Sequence, residues 1–275
     1  PPSAPEGAVS LITKLGDTIF RIVGFADSIP PSAGQTMRRV VASVAKDVCR
    51  AAISLAASFQ SDEIKAHASH LPQGYLVSTG QLWEVSKQLQ TNIPADNQEA
   101  VQMEWRSKTS QLEDALTEAE EFIQGQQDDD GDAEKGDDGW DDILGADTSV
   151  RLEPNELVAC QKAVQVVKLT KMLLKKISVR CIQSSNPKDA VIALWLDDLL
   201  VAATKVVDDV DEVAAGIYEP ESLGTVVAAF ISQSIIPLRD IAQKFADEDV
   251  KKWLEICISQ YETLQSKISA ELDSL

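Results

Sequence analysis

The chain has 275 residues, an apolar fraction of 44% and a net charge of −19 at pH 7. This length and apolar content allow two domains with buried cores. The negative charge argues against nucleic acid and anionic membrane surfaces as direct ligands, because both are bound through basic side chains. No apolar run approaches the roughly 18 residues that span a bilayer. The composition therefore favours proteins as partners.

The first half of the chain predicts four helices. Apolar residues at helical spacing indicate a first helix over 8–27 and a second helix that Ser32 caps. A third helix is predicted over 73–90, and a fourth over 97–124 with Asp96 as its N-cap. The predicted apolar seam of the first helix consists of Val9, Ile12, Ile19, Ile22, Val23 and Ala26. That of the third helix consists of Leu76, Leu82, Trp83 and Leu89.

The second half predicts four more helices, over 154–183, 187–216 and 222–245 and from Asp247, the predicted N-cap, to the chain end. Pro237 lacks a backbone N–H and therefore predicts a kink or a break near Ile235. The near-heptad seam of the last helix suits either a bundle core or an intermolecular zipper, so the oligomeric state stays open. No stretch has the alternation of a strand. The predicted fold class is all-α, with two antiparallel bundles of about four helices each, over 8–124 and 151–275.

An acidic stretch separates these two halves. Gly125–Asp147 holds ten acidic residues and one lysine, so its charges repel one another when the chain compacts. The pattern predicts a disordered linker over 125–150. Its only apolar island is Trp140, Ile143 and Leu144, which either docks on the protein's own bundle or binds an outside partner. The spacing of Trp140 and Ile143 among aspartates resembles the short motif that adds a strand to ubiquitin-like Atg-eight proteins.

The residues that could carry chemistry form no complete site. Glu63, His67 and His70 would share a helical face, but a Leu-Pro break follows them, and solvated polar residues explain the pattern better than a zinc site. The aspartates that begin an EF-hand-like pattern in the acidic stretch lack its glycine and its final glutamate. We therefore predict no metal, no cofactor and no enzyme. The four cysteines are far apart and are expected to be buried reduced thiols in an intracellular protein.

A basic stripe marks the fifth predicted helix. Lys168, Lys171 and Lys175 recur at i, i+3 and i+7 and therefore share one face. The stripe is either a solvated face or a surface that attracts the acidic linker or an acidic partner. Together with the Trp140 island, it is the candidate partner-binding site.

Four segments resemble one family in their order and spacing: IPADNQEA, DDGWDDILG, LTKMLLKKI and VDDVDEVAAGIYEP. They are similar to the cyclin-D-interacting protein family. The resemblance implies an all-helical, non-enzymatic regulator of the nucleus and cytoplasm that binds D-type cyclins and restrains cyclin-dependent phosphorylation and cell-cycle entry. The same helix patterns would also suit a talin- or vinculin-like scaffold of adhesion or the cytoskeleton, which is the alternative function.

Overall fold

The computed structural model describes residues 5–59, 74–128 and 152–274, and in these ranges the chain is helical without a strand. The predicted all-α fold class is therefore confirmed. The α-helices are α1 (Pro5–Ser28), α2 (Gln35–Ser58), α3 (Gly74–Asn92), α4 (Asn97–Asp128), α5 (Pro154–Ile177), α6 (Ala190–Tyr218), α7 (Pro220–Phe230), α8 (Ile236–Ala242) and α9 (Glu248–Leu272).

Local capping residues start two of these helices as predicted. The Asp96 carboxylate accepts the Glu99 N–H at 2.9 Å, and the Asp247 carboxylate accepts the Val250 N–H at 2.8 Å. The prediction for Ser32 is wrong, because the N-cap of α2 is Gly34 and provides no side-chain acceptor. The first N–H groups of α2 must therefore find acceptors elsewhere in the fold.

Two π turns interrupt the helical stretches of the second half. The turn over Ile231–Ile235 joins α7 to α8, and the Ile236 N–H bonds back to the Ile231 carbonyl. It lies just before Pro237, which has no N–H for a regular helical bond, so the predicted irregularity near Ile235 is confirmed. The second turn, Ser178–Ile182, extends α5, and the sequence pattern does not predict it.

The chain folds into two compact units. The first unit contains the described residues up to Val101 together with Asn186–Asp197, and the second contains the described parts of Gln102–Ser185 and Asp198–Leu275. The division thus passes through α4 and α6. The predicted domains over 8–124 and 151–275 stay a prediction.

Helix α2 is central to the first unit and packs closely on α3 and more loosely on α1. The buried residues of α2 include the small side chains Ala45, Ala51 and Ala52. The hydroxyls of Ser54 on α2 and Ser78 on α3 lie 3.4 Å apart, so the two helices are close to each other at this point. Among the α1 side chains whose burial is described, none is fully buried. The core of this unit is therefore small, and α1 covers it only partly.

Helix α5 is the centre of the second unit. Its buried residues run along most of its length, and α9 packs against it closely. The Tyr261 hydroxyl on α9 lies 2.9 Å from the Thr170 hydroxyl on α5, inside the core. From α4, the Trp105 indole N–H donates to the Leu174 carbonyl at 3.2 Å. These two buried hydrogen bonds help to hold α4 and α9 against α5.

One described stretch, Pro220–Ala242, is long and apolar enough to cross a membrane by length and composition alone, with a mean hydropathy of 1.3. By this criterion the prediction that no run approaches that length is wrong. Several large apolar side chains of the stretch are nevertheless buried in the second unit, at Leu223, Val227, Phe230, Ile235 and Leu238. Core packing within the unit accounts for the hydropathy of this stretch.

The acidic segment connects two helices of the second unit, α4 and α5. The Leu152 N–H donates to the Gln126 side-chain oxygen at 3.2 Å, so the two ends of the segment lie within one hydrogen bond of each other. The predicted disorder over 125–150 concerns residues that lie mostly outside the described ranges.

Candidate functional site

The basic stripe of α5 contacts α4. The Lys168 ammonium lies 2.6 Å from the Glu120 carboxylate, and the Lys171 ammonium lies 2.9 Å from the Glu113 carboxylate. Lys175 is exposed. The ammonium of its neighbour Lys176 lies 5.3 Å from the centre of the Trp253 ring on α9, at the distance of a cation–π contact. The stripe thus joins α5 to an acidic face of α4, a partner that the sequence pattern does not predict.

These two interhelical ion pairs are open to solvent. All four side chains are between 39% and 51% exposed, so each pair contributes only about 0–1 kcal/mol to the stability of the fold. A stronger anion could therefore displace the glutamates at low cost. The prediction that these lysines bind an acidic partner stays a prediction.

The other predicted candidates fall outside the described ranges. These are the Trp140, Ile143 and Leu144 island and the Glu63, His67 and His70 group. Among the described residues, no group of three or more His, Cys, Asp or Glu side chains could hold a metal ion.

Exposed apolar side chains are concentrated in the first unit. Helix α1 alone exposes Val9, Leu11, Ile12, Leu15, Phe20 and Phe25. Of its predicted seam, Ile19, Ile22, Val23 and Ala26 are half-buried, whereas Val9 and Ile12 are exposed. The sequence signal that could have shown this surface is the presence of large apolar residues on more than one face of α1, which exceeds what one neighbouring helix can cover.

Helix α3 extends this pattern. Trp83 is 76% exposed and Leu76 is 53% exposed, so their predicted place in a buried seam is wrong. Leu82 and Leu89 are half-buried. Trp83 and Leu82 line an open groove of about 400 Å³ together with polar residues of the same helix, Thr79, Ser86, Lys87 and Gln90. An exposed tryptophan beside polar groups is typical of a protein-binding surface.

A polar cluster ties together helices of the first unit. The Asp197 carboxylate accepts hydrogen bonds from the Gln35 N–H at 2.7 Å and from the Thr36 N–H at 3.0 Å. It also accepts from the Thr36 hydroxyl at 2.6 Å and from the Asn97 amide at 3.0 Å. Asn97 in turn accepts the Met37 N–H at 2.9 Å. A carboxylate from α6 and an amide from α4 therefore cap α2, in place of the predicted Ser32.

Gly34 allows this cap to form. Its φ of +99° is a conformation that L side chains rarely adopt, and an added Cβ would collide with the Asn97 side chain. Thr36 and Asn97 are 4% and 1% exposed, so their polar groups depend on these internal partners. The cluster is a structural tie, with each described polar group satisfied.

Three cysteine thiols of the second unit are buried and protonated. Burial raises the pKa of Cys160 to about 12, and that of Cys181 and of Cys257 to about 11. A thiol with so high a pKa is a poor nucleophile and a poor metal ligand at neutral pH. The four cysteines are free, and Cys49 is half-buried, so the prediction of reduced thiols is confirmed and full burial holds for three of them.

Large exposed apolar and aromatic side chains on helices, such as those of α1 and α3, are typical of proteins that bind other proteins. The family models agree with this class. The chain matches the model described as Grap2 and cyclin-D-interacting, N-terminal, over residues 2–125, and the corresponding C-terminal model over residues 128–247. It therefore belongs to the Grap2 and cyclin-D-interacting protein family, which confirms the resemblance. A search of curated proteins finds no match.

The absence of enzymatic activity and the adhesion-scaffold alternative stay predictions.

Proposed function

We propose that the chain binds a D-type cyclin and thereby restrains cyclin-dependent phosphorylation and progression through the cell cycle, in the nucleus and the cytoplasm. Membership of a cyclin-D-interacting family supports the choice of partner. The net charge of −19 supports protein rather than nucleic acid as the ligand.

The apolar surface of the first unit is the observation that carries the proposal. Phe20 is 79% exposed and Phe25 is 50% exposed on α1, and Trp83 projects from α3 of the same unit. Large exposed apolar side chains are typical of interaction sites, and aromatic residues dominate binding energy where they become buried. The cyclin is expected to cover this surface.

Alanine substitution of Phe20 and Phe25 tests the proposal. A loss of about 2 kcal/mol, the usual scale for a central aromatic contact, weakens affinity about thirtyfold. Isothermal titration calorimetry of the purified chain with a purified D-type cyclin measures this change. The matched control is the double substitution Met172→Ala with Val201→Ala, which removes exposed apolar side chains of the second unit instead.

Each result has a definite meaning for the proposal. If the unsubstituted chain does not bind the cyclin, the cyclin assignment is contradicted. If the unsubstituted chain binds and both double variants bind with the same affinity as each other, only the assignment of the surface is contradicted. The regulatory part is tested by adding the chain to an active D-type cyclin–kinase complex, where phosphate incorporation is expected to fall. Fractionation of cells that express the tagged chain tests the location.

A further inference from the structure

Thr117 lies between the two ion pairs that join α4 to α5. It follows Glu113 by four residues and precedes Glu120 by three, so the three side chains share one face of α4. Their partners Lys171 and Lys168 are three residues apart and share one face of α5. Thr117 is exposed, and its hydroxyl donates to the Glu113 carbonyl at 2.9 Å. The two ion pairs therefore lie about one helical turn before and one helical turn after Thr117, on the same face of α4.

The residues that follow Thr117 are Glu118, Ala119, Glu120 and Glu121. Acidic residues thus stand one, three and four positions after the hydroxyl. Kinases with a basic substrate-binding groove select this pattern through charge complementarity. The sequence that follows Thr117 therefore has the charge pattern of a substrate of an acidophilic kinase.

A phosphate at this position would find its partners already in place. It carries about −1.5 to −2 charges and three acceptor oxygens at neutral pH, compared with a single charge on each glutamate. Because the two existing ion pairs are half-exposed and weak, the phosphate can draw Lys168 and Lys171 away from Glu120 and Glu113.

We propose that Thr117 is a phosphoacceptor for an acidophilic serine/threonine kinase, and that Lys168 and Lys171 bind the resulting phosphate. In the reaction the Thr117 Oγ1 attacks the γ-phosphorus of ATP, the bond from that phosphorus to the bridging oxygen of ADP breaks, and the hydroxyl proton passes to the kinase. The product links α4 to α5 through one phosphate in place of two separate carboxylates. Phosphorylation thereby changes the charge and the ion pairing of the basic stripe.

The first test is phosphorylation of the folded chain with casein kinase 2 and ATP, followed by site mapping by mass spectrometry. Thr117 is expected to be modified, and Thr117→Val to abolish that signal. Glu120→Gln removes the acidic residue at the third position and should slow modification at least tenfold. Glu113→Gln is the matched control, because it breaks an equivalent ion pair but leaves the kinase pattern intact. No phosphate on Thr117, or phosphate only after denaturation, overturns the proposal.

The second test asks whether the lysines bind the phosphate. A ³¹P NMR titration of the phosphorylated chain measures the second pKa of the phosphate on Thr117. This pKa should lie below the value of about 6 that is usual for a phosphorylated side chain. It should return toward that value in urea and in the Lys168→Gln, Lys171→Gln double variant. Lys251→Gln, which breaks an exposed pair on α9, is the control and should leave the pKa unchanged. Equal pKa values in native and urea-unfolded protein contradict the role of the lysines.

Discussion

The cap that Asp197 provides to α2 predicts a large loss of stability when its carboxylate is removed. In Asp197→Ala the N–H groups of Gln35 and Thr36, the Thr36 hydroxyl and the Asn97 amide all lose an acceptor. Gln35 is exposed and can bond to water instead. Thr36 and Asn97 are buried, so their donors lose acceptors that water cannot easily replace.

The size of the loss follows from these two cases. A buried donor left unpaired costs about 1–3 kcal/mol, and the loss of an N-cap costs about 0.5–2 kcal/mol. Some of these terms overlap, since water enters the space that the carboxylate leaves. We therefore expect Asp197→Ala to lower the free energy of unfolding by about 3–5 kcal/mol. Asp197→Asn keeps one acceptor oxygen and should cost less.

Urea unfolding followed by circular dichroism at 222 nm measures the global effect, with Asp198→Ala as the control because Asp198 is an exposed neighbour. Hydrogen exchange then localises it, since the amides at the start of α2 should lose protection before those of α5. A double-mutant cycle with Thr36→Val should show a coupling above about 1 kcal/mol. A loss below about 0.5 kcal/mol in Asp197→Ala, with unchanged exchange at Thr36, would refute the capping role.

Two further predictions concern the core of the second unit. Thr170 donates to the Val166 carbonyl, so its contact with Tyr261 has the tyrosine as donor. Thr170→Val should therefore destabilise the chain more than Tyr261→Phe, because it leaves a buried O–H without an acceptor, and chemical denaturation of the two variants compares them. Burial raises the pKa of Cys160 to about 12 from 9.0, so unfolded chains lose this proton first as the pH rises. Stability should fall from about pH 9 to about pH 12 through Cys160, and to about pH 11 through Cys181 and Cys257, by up to about 1.4 kcal/mol per pH unit for each buried thiol. Cys160→Ala should reduce that slope. An equal slope in the variant would contradict this origin.

Local signals are sufficient to predict the helices and several of their ends. Asp96 and Asp247 accept bonds from N–H groups three residues further along, so sequence spacing alone identifies them. Pro237 is likewise a local signal, because its missing N–H interrupts the helix in which it lies. The all-α class follows from such patterns, which repeat over each helix.

Contacts between distant segments cannot be predicted in this way. Asp197 caps α2 across a separation of 162 residues, and no local pattern distinguishes it from the exposed Asp198 beside it. Apolar spacing predicts a core position for Trp83 because it does not show how many neighbours a helix has. The spacing of the lysine stripe identifies its face, but its partners Glu113 and Glu120 depend on how α4 and α5 pack.

The hydrogen bond between Gln126 and Leu152 has an evolutionary consequence for the residues between them. Since the two ends already meet, the positions of α4 and α5 do not depend on how many residues separate them. Doubling the length of such a closed segment costs only about 0.6 kcal/mol of closure entropy. Its length and composition can therefore vary between species, or accept a tag or a whole inserted domain, at little cost to the helices on either side.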